Sequence, residues 1–309
     1  MAELIHLDDI TRDPNTVLTV GTFDGVHEGH KALMHKVVEV AKKKGARSLV
    51  VTFDPHPRTI ISKKNDGIKL LTTLQERAEI LSEIGVDVLL VIPFNRDFSL
   101  LSSQEFVRDV ICSKIGLCDF IIGYDHHFGK DRSGTIDTLK QLGQVLNFDV
   151  HVVSKKEMGE LTISSTNIRK EIMEEGDMEM AADMLGRPYF LNGVVIHGDE
   201  RGRKIGFPTA NLQPEHPDKA VPKNGIYAVK VRVDGNWYKG MMNIGVRPTF
   251  DGVSKSLEVN IFGFDQMIYG KTIQIQFVKR IRDEQKFTST DELVDQLKSD
   301  KENTIQVLK

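Results

Sequence analysis

From its start to about Val153 the chain alternates short apolar runs with amphipathic stretches, and this alternation constrains the fold more than any other feature. The apolar runs are VLTVG, SLVVTF, VDVLLVI, DFIIG and DVHVV; between them stand HKALMHKVVEVAKKKG, LQERAEILSEIG, SQEFVRDVICSKIG and TIDTLKQLGQVL. Continuously apolar strands need cover on both faces, and the intervening helices supply it, which predicts a doubly wound parallel sheet. Between Ser164 and Gly186 the pattern turns helical, in STNIRKEIMEEG and MEMAADMLG. Beyond Arg187, alternating strands such as YFLNGVVIHG, IYAVKVRV, WYKGMMNIG, LEVNIFGF and TIQIQFV, separated by Gly, Pro and Asn turns, predict a small antiparallel barrel. A closing helix is expected from about Thr290, where Ser289 and Glu292 have capping-box spacing. The expected class is α/β: an N-terminal doubly wound parallel sheet over residues 1–185, then a C-terminal antiparallel β-barrel with a terminal helix over 186–309.

A chain of 309 residues is long enough for each domain to bury its own core. Lys and Arg total 41 against 44 Asp and Glu, which argues against a nucleic acid as main partner, because phosphate-backbone binding rests on excess cationic side chains. Cys112 and Cys118 have no second pair to complete a zinc site and read as packed thiols. Such cysteine poverty, an N-terminus with acidic residues where a signal peptide is basic, and no apolar stretch of membrane length predict a cytoplasmic protein without a membrane partner.

Two segments carry chemistry. After VLTVG comes Gly21-Thr22-Phe23-Asp24-Gly25-Val26-His27-Glu28-Gly29-His30, leading into a helix at the carboxyl edge of the sheet, where ligands of open α/β folds bind. Gly25 and Gly29 permit close backbone approach, the helix N-terminus attracts anions, and His27 and His30, three apart, project to one side to donate to phosphate oxygens. A metal pair is the alternative, with His56, His126 and His127 as further ligands; the flanking glycines favour a larger polyanion. Ser164, Ser165, Thr166 and Arg169 open another helix with hydroxyls and a guanidinium suited to a phosphate clamp; the alternative is a plain N-cap with a solvated arginine.

The second segment is Gly202-Arg203-Lys204-Ile205-Gly206-Phe207-Pro208-Thr209-Ala210-Asn211, a glycine-rich basic turn able to wrap polyphosphate. Thr209 and Asn211 put two neutral oxygens on one side of an extended strand, a donor set that suits Mg²⁺ beside phosphates; the alternative is a basic surface hairpin before a proline turn.

These motifs resemble those of the prokaryotic bifunctional riboflavin kinase/FAD synthetases. The first segment matches the H-x-G-H signature of nucleotidylyltransferases in its longer form G-T-F-D-G-V-H-x-G-H, and Thr52-Phe53-Asp54-Pro55-His56-Pro57, Gly123-Tyr124-Asp125 and Ile163 to Arg169 resemble the same module. The second matches G-R-x-I-G-F-P-T-A-N of riboflavin kinases, supported by Asn224 to Tyr227, Asn243-Ile244-Gly245, Leu257-Glu258-Val259 and Arg282 to Phe287. The resemblance implies two reactions: riboflavin and ATP give FMN and ADP in the barrel, and FMN and ATP give FAD and pyrophosphate in the first domain. It implies that His27, His30, Arg169 and Glu258 are catalytic, Glu258 as the base for the ribityl 5′-hydroxyl. Gly21, Thr22, Phe23, Asp24, Gly25, Gly29, Ser164, Ser165, Thr166, Gly202, Arg203, Lys204 and Gly206 would then meet ATP or phosphate, His56, Asp125, Phe128, Asn243 and Arg282 the flavin, and Thr209 and Asn211 Mg²⁺. ATP, riboflavin and FMN are the expected small-molecule partners, with self-association left open. The chain departs from the pattern at Tyr124-Asp125-His126-His127-Phe128 and at Asn260 and Met267-Ile268. Rival readings keep only the adenylyltransferase, with the barrel a flavin-binding remnant, or make the chain a flavin-binding regulator without turnover.

Overall fold

The computed structural model describes residues 2–62, 67–130, 133–155, 163–198, 202, 205–249 and 252–309. The chain divides into two compact units, Met1–Ile163 and Ser164–Lys309.

In the first unit a six-stranded sheet has the order β1-β4-β3-β2-β5-β6, comprising Glu3–His6 (β1), Thr16–Val20 (β2), Arg47–Asp54 (β3), Val88–Pro93 (β4), Asp119–Gly123 (β5) and Asp149–Val153 (β6). Every neighbouring pair is parallel, as the alternation requires. Every residue of β2 and β5 is buried, so these strands carry apolar side chains on both faces. No apolar run of the sequence marks β1. It is a four-residue edge strand with exposed ends, too short for a periodic signal, and it adds to the sheet through β4.

Helix α1, Glu28–Lys44, buries Leu33, Met34, Val37, Val38 and Ala41, the apolar positions of its 3.6-residue period. Gly45 ends it in the left-handed conformation (φ 61°), beside Lys42, Lys43 and Lys44 at the negative end of the helix dipole. After the short helix α2, Pro57–Ile61, helix α3, Leu74–Ile84, starts on a complete capping box between Thr73 and Glu76. SQEFVRDVICSKIG opens with a capping box on Ser102 and Glu105 and then widens into a π-helix over Phe106–Ile115.

The strand order reverses at β2, whose neighbours are β3 on one side and β5 on the other. Loops that leave the carboxyl ends of β2 and β5 therefore flank the crevice where open α/β sheets bind ligands.

The second unit begins with helix Ser165–Lys170, a π-helical turn at Glu171–Glu175 and helix Met178–Leu185. Six antiparallel strands then close into a barrel of order β10-β11-β8-β7-β12-β9: Phe190–Ile196 (β7), Ala210–Pro214 (β8), Gly225–Val233 (β9), Asn236–Thr249 (β10), Gly252–Ile261 (β11) and Thr272–Arg282 (β12). Closure leaves no open sheet edge. Tyr227 and Phe277, both wholly buried, meet edge to face inside it at 5.4 Å. The terminal helix, Thr290–Val307, packs on β9, β10 and β12. Ser289 caps it by accepting from the Glu292 amide, but the Glu292 carboxylate reaches one residue further back than a capping box would, to Thr288. Among the described residues no helix is long and apolar enough to cross a membrane.

Candidate functional site

The loop after β2 is held by buried polar contacts. Gly21 donates to the Val51 carbonyl at 3.1 Å, and a Cβ on it would come 2.7 Å from the Phe23 ring. Phe23 (φ 46°) and Val26 (φ 41°) occupy the left-handed region although neither is glycine, and Gly25 (φ 88°) lies between them. Such backbone persists where its surroundings over-determine it, and it clusters at ligand sites.

The restraint comes partly from Asp24, expected on ATP but fully buried. Its carboxylate accepts from the Leu71 amide at 3.1 Å, the Thr72 amide at 2.9 Å and the Thr72 hydroxyl at 3.2 Å. Its side chain therefore fixes the loop instead of facing a ligand. Gly25 likewise spends its amide on Thr72 Oγ1 at 3.0 Å, and Thr22 offers its carbonyl to Thr52 Oγ1 at 3.0 Å.

The two histidines come together as their spacing predicts. His27 is the N-cap residue of α1, its carbonyl accepting from the His30 amide, and the rings stack at 3.5 Å with 19° between planes. Phe23 meets His30 edge-on at 5.1 Å. Gly29 is buried in the first turn between them. Burial first, then the His27 ring, the Arg77 guanidinium and the His126 ring, push the His30 imidazole well below the ordinary histidine range. His30 is thus a neutral imidazole near neutral pH in the ligand-free chain, awaiting negative charge. Among the described residues its Nδ1 has no hydrogen-bond partner, and no group of three or more His, Cys, Asp or Glu is placed to hold a metal ion.

The flavin residues expected in this unit are placed unevenly. His56 caps the helix Pro57–Ile61 by accepting from the Arg58 amide on Nδ1, which puts its ring proton on Nε2. Asp125 is exposed just beyond β5. Phe128 is a core residue: its ring lies 6.4 Å from Phe106 and 6.5 Å from Phe120, away from solvent. Of the clamp expected downstream, Ser164 caps its helix by accepting from the Asn167 amide and Ile168 is the buried anchor; Ser165 and Arg169 are half-buried and Thr166 is exposed.

The barrel gathers its predicted residues around a cavity of about 300 Å³, lined among others by Gly202, Thr209, Asn243, Glu258 and Arg282. Strand register explains the convergence. Glu258 on β11 stands opposite Asn243 on β10 and opposite Asn211 on β8, so three polar side chains form one row. Thr209 donates to Glu258 Oε2 at 3.5 Å, the outer limit of a hydrogen bond. The neutral oxygens of Thr209 and Asn211 are of the hard kind that suits a magnesium ion beside phosphate. Gly206 (φ 81°) turns the chain towards Thr209, with open space where a Cβ would stand. Arg203 and Lys204 lie outside the described residues.

Arg282 lines the cavity but is first a structural link. It donates from Nε and Nη2 to the wholly buried Asp300 carboxylate on the terminal helix at 2.6 to 3.1 Å, and from Nη1 to the Asp283 carbonyl at 2.7 Å. Gln296 donates to the same carboxylate at 2.8 Å.

Two segments of the chain match known family models: residues 9–167 match FAD synthetase and residues 185–308 match riboflavin kinase. The bifunctional riboflavin kinase/FMN adenylyltransferase of Listeria monocytogenes is 41% identical over 293 residues, covering 94% of this chain and 92% of its own. This chain belongs to the bifunctional riboflavin kinase/FMN adenylyltransferase family. The Bacillus subtilis protein of that name is 38% identical over 94% of the chain and 92% of its own. A crystal structure described as a macrolide-efflux protein from Streptococcus pneumoniae is 35% identical, covers 97% of this chain and 98% of its own, and superposes with a TM-score of 0.87.

Against this family's pattern, the structure adds Arg77 and Thr72, which no motif revealed, and gives structural roles to Thr52 and Asn260, which stand within or beside the motifs. Arg77, Thr52 and Thr72 support the histidine loop from inside, and Asn260 donates to the Pro208 carbonyl at 2.6 Å, pinning the turn that carries Thr209. Thr73 and Glu76 had capping-box spacing and could have marked the start of α3. Nothing in an amphipathic helix marks Arg77 as a buried charge.

Proposed function

We propose that this chain is a transferase that makes FMN from riboflavin and ATP in its barrel unit and FAD from FMN and ATP in its parallel-sheet unit. The observation that carries the reading is the register row Asn211, Glu258 and Asn243, of which Glu258 and Asn243 line the barrel cavity, in the same chain as a stacked histidine pair at the switch point of a parallel sheet.

In the barrel, Glu258 takes the proton of the ribityl 5′-hydroxyl as that oxygen bonds to the γ-phosphorus of ATP and the bond from that phosphorus to ADP breaks. Thr209 and Asn211 would hold Mg²⁺, which when bound spreads the negative charge of the phosphates. Asn243, beside Glu258, orients the flavin. Gly202 and Gly206 let the polyphosphate approach the backbone, and Arg203 and Lys204 are assigned to the same polyanion.

In the first unit an oxygen of the FMN phosphate bonds to the α-phosphorus of ATP, and pyrophosphate leaves with the electrons of the broken P–O bond. No protein nucleophile takes part. His27 and His30 donate to the phosphates, the dipole of α1 adds positive potential, and catalysis is positioning plus charge stabilisation. Ser164, Ser165, Thr166 and Arg169, at the start of the second unit, are assigned to phosphate, and His56 and Asp125 of the first unit to the flavin. Both cysteine thiols are pushed up to about 11, chiefly by burial, which makes them poor nucleophiles.

Selective variants test the assignment of two sites. Glu258→Gln should lower FMN formation by about 100-fold to 10,000-fold, the usual range for a general base, while FAD formation from supplied FMN continues. His30→Ala should do the reverse, losing FAD formation by about 100-fold to 1,000-fold. Equal loss of both activities in either variant would contradict the assignment.

A further inference from the structure

Arg77 is 3% exposed, a guanidinium buried in its helix beside the equally buried Glu76. Burying such a group is costly unless it is paired and hydrogen-bonded. Here it is both. Nη1 donates to Thr52 Oγ1 at 2.7 Å, Nη2 to the Thr72 carbonyl at 3.3 Å and Nε to Thr72 Oγ1 at 3.4 Å, with the Asp24 carboxylate 3.6 Å from Nη2. Thr52 passes the restraint to the Thr22 carbonyl, and Thr72 passes it to the Gly25 amide and the Asp24 carboxylate. Three successive contact points on the loop, at Thr22, Asp24 and Gly25, therefore run through Arg77 and its two threonines. The same loop contains the left-handed Phe23 and Val26 and leads directly to His27.

We propose that Arg77 is a positioning residue for adenylyl transfer, holding from inside the domain the strained turn that aims His27 and His30 at the phosphates. The proposal rests on reading this unit as an FMN adenylyltransferase. Geometry carries it, and electrostatics adds a consequence. The charged or titratable groups acting on His30 are His27 at its own helix start, His126 from the loop after β5 and Arg77 from α3, while the carboxylates of Asp24, Asp54 and Glu76 act on Arg77. Arg77 thus helps to keep His30 neutral until a polyanion arrives, a readout that a purely structural residue would not give.

The experiment compares the full chain with Arg77→Met, Arg77→Lys and Thr52→Val. Arg77→Met should lower kcat/KM for ATP in FAD formation by about 100-fold, as expected when catalytic groups are misplaced by about 1 Å. Riboflavin phosphorylation by the barrel unit should be unchanged, and a cooperative thermal melt matching that of the parent shows that the parallel-sheet unit is folded. Arg77→Lys restores the charge but not the fork of donors and should rescue only in part. In ligand-free protein, the His30 ring resonance should titrate at higher pH in Arg77→Met than in the parent, and the acid limb of FAD formation should move the same way. If Arg77→Met does not fold, Thr52→Val, which keeps the guanidinium and removes its shortest bond, should show a smaller loss in the same direction. Parental FAD formation and parental His30 titration in folded Arg77→Met, or parental activity in Thr52→Val when Arg77→Met is unfolded, overturns the proposal. A parent chain that makes no FAD overturns the reading of the domain instead, and the titration still decides whether Arg77 acts on His30.

Discussion

Asn211 on β8 and Glu258 on β11 are register partners across adjacent strands of the barrel, and Asn243 on β10 is the partner of Glu258 on its other side. A proposed metal ligand, a proposed base and a proposed flavin ligand therefore share one row, fixed by backbone pairing. A shift by one residue would turn all of them to the other face.

That row makes Asn211→Ala informative. Removing one of two neutral oxygens should raise the Mg²⁺ concentration needed for half-maximal FMN formation by about tenfold or more, since even supporting groups around metal ligands are worth that much. A magnesium titration of riboflavin phosphorylation measures it. An unchanged requirement would take Asn211 out of the ligand set.

Asn260 gives a second expectation. It is 7% exposed, and its amide holds the Pro208 carbonyl next to Thr209. Asn260→Leu leaves that carbonyl unpaired, at about 1 to 3 kcal/mol. The KM for ATP in FMN formation should rise more than kcat falls, because the turn moves and the base does not. Steady-state kinetics at saturating riboflavin distinguishes the two.

The charge state of His30 sets a pH dependence. Burial and cationic neighbours lower its folded value below that of the unfolded chain, near 6.5. Its contribution to stability is therefore complete above about 6.5 and is lost as pH falls towards the folded value. Polyphosphate reverses the balance by favouring the imidazolium, so ATP binding near neutral pH should take up protons. Calorimetry of ATP binding in buffers of different ionisation enthalpy reads that uptake, and His30→Ala should reduce it.

The bond between Arg282 and Asp300 ties β12 to the terminal helix. Asp300→Ala would leave the guanidinium uncompensated and should cost about 3 kcal/mol or more, as for other broken buried pairs, read as a lower urea midpoint. FMN formation should fall with it, because Arg282 also lines the cavity.

How far these features could be read from the sequence depended on the range of the interaction. Strands β2 to β5 stood out as apolar runs because they are buried along most of their length, and β6 by its valines although it is partly exposed, whereas β1 is short and acquires its place only by pairing with β4. His27 and His30 were legible because three residues of helix bring rings together whatever surrounds them. Asp24 and Phe128 lie in segments that carry the motifs, yet their side chains turn inward, to Thr72 and to Phe106, for reasons of tertiary packing that no local pattern encodes. Arg77 was hidden for the same reason. Its partners Thr52 and Thr72 come from separate parts of the chain and meet only in the folded domain.

Incubating the pure chain with riboflavin, ATP and Mg²⁺ and separating the flavins over time tests the central claim most directly. The account predicts FMN first and FAD after it, with FAD also formed when FMN is supplied alone with ATP. FAD formed only from supplied FMN would reduce the barrel to a binding remnant, and tight flavin binding with no ATP consumed would contradict the account of both sites.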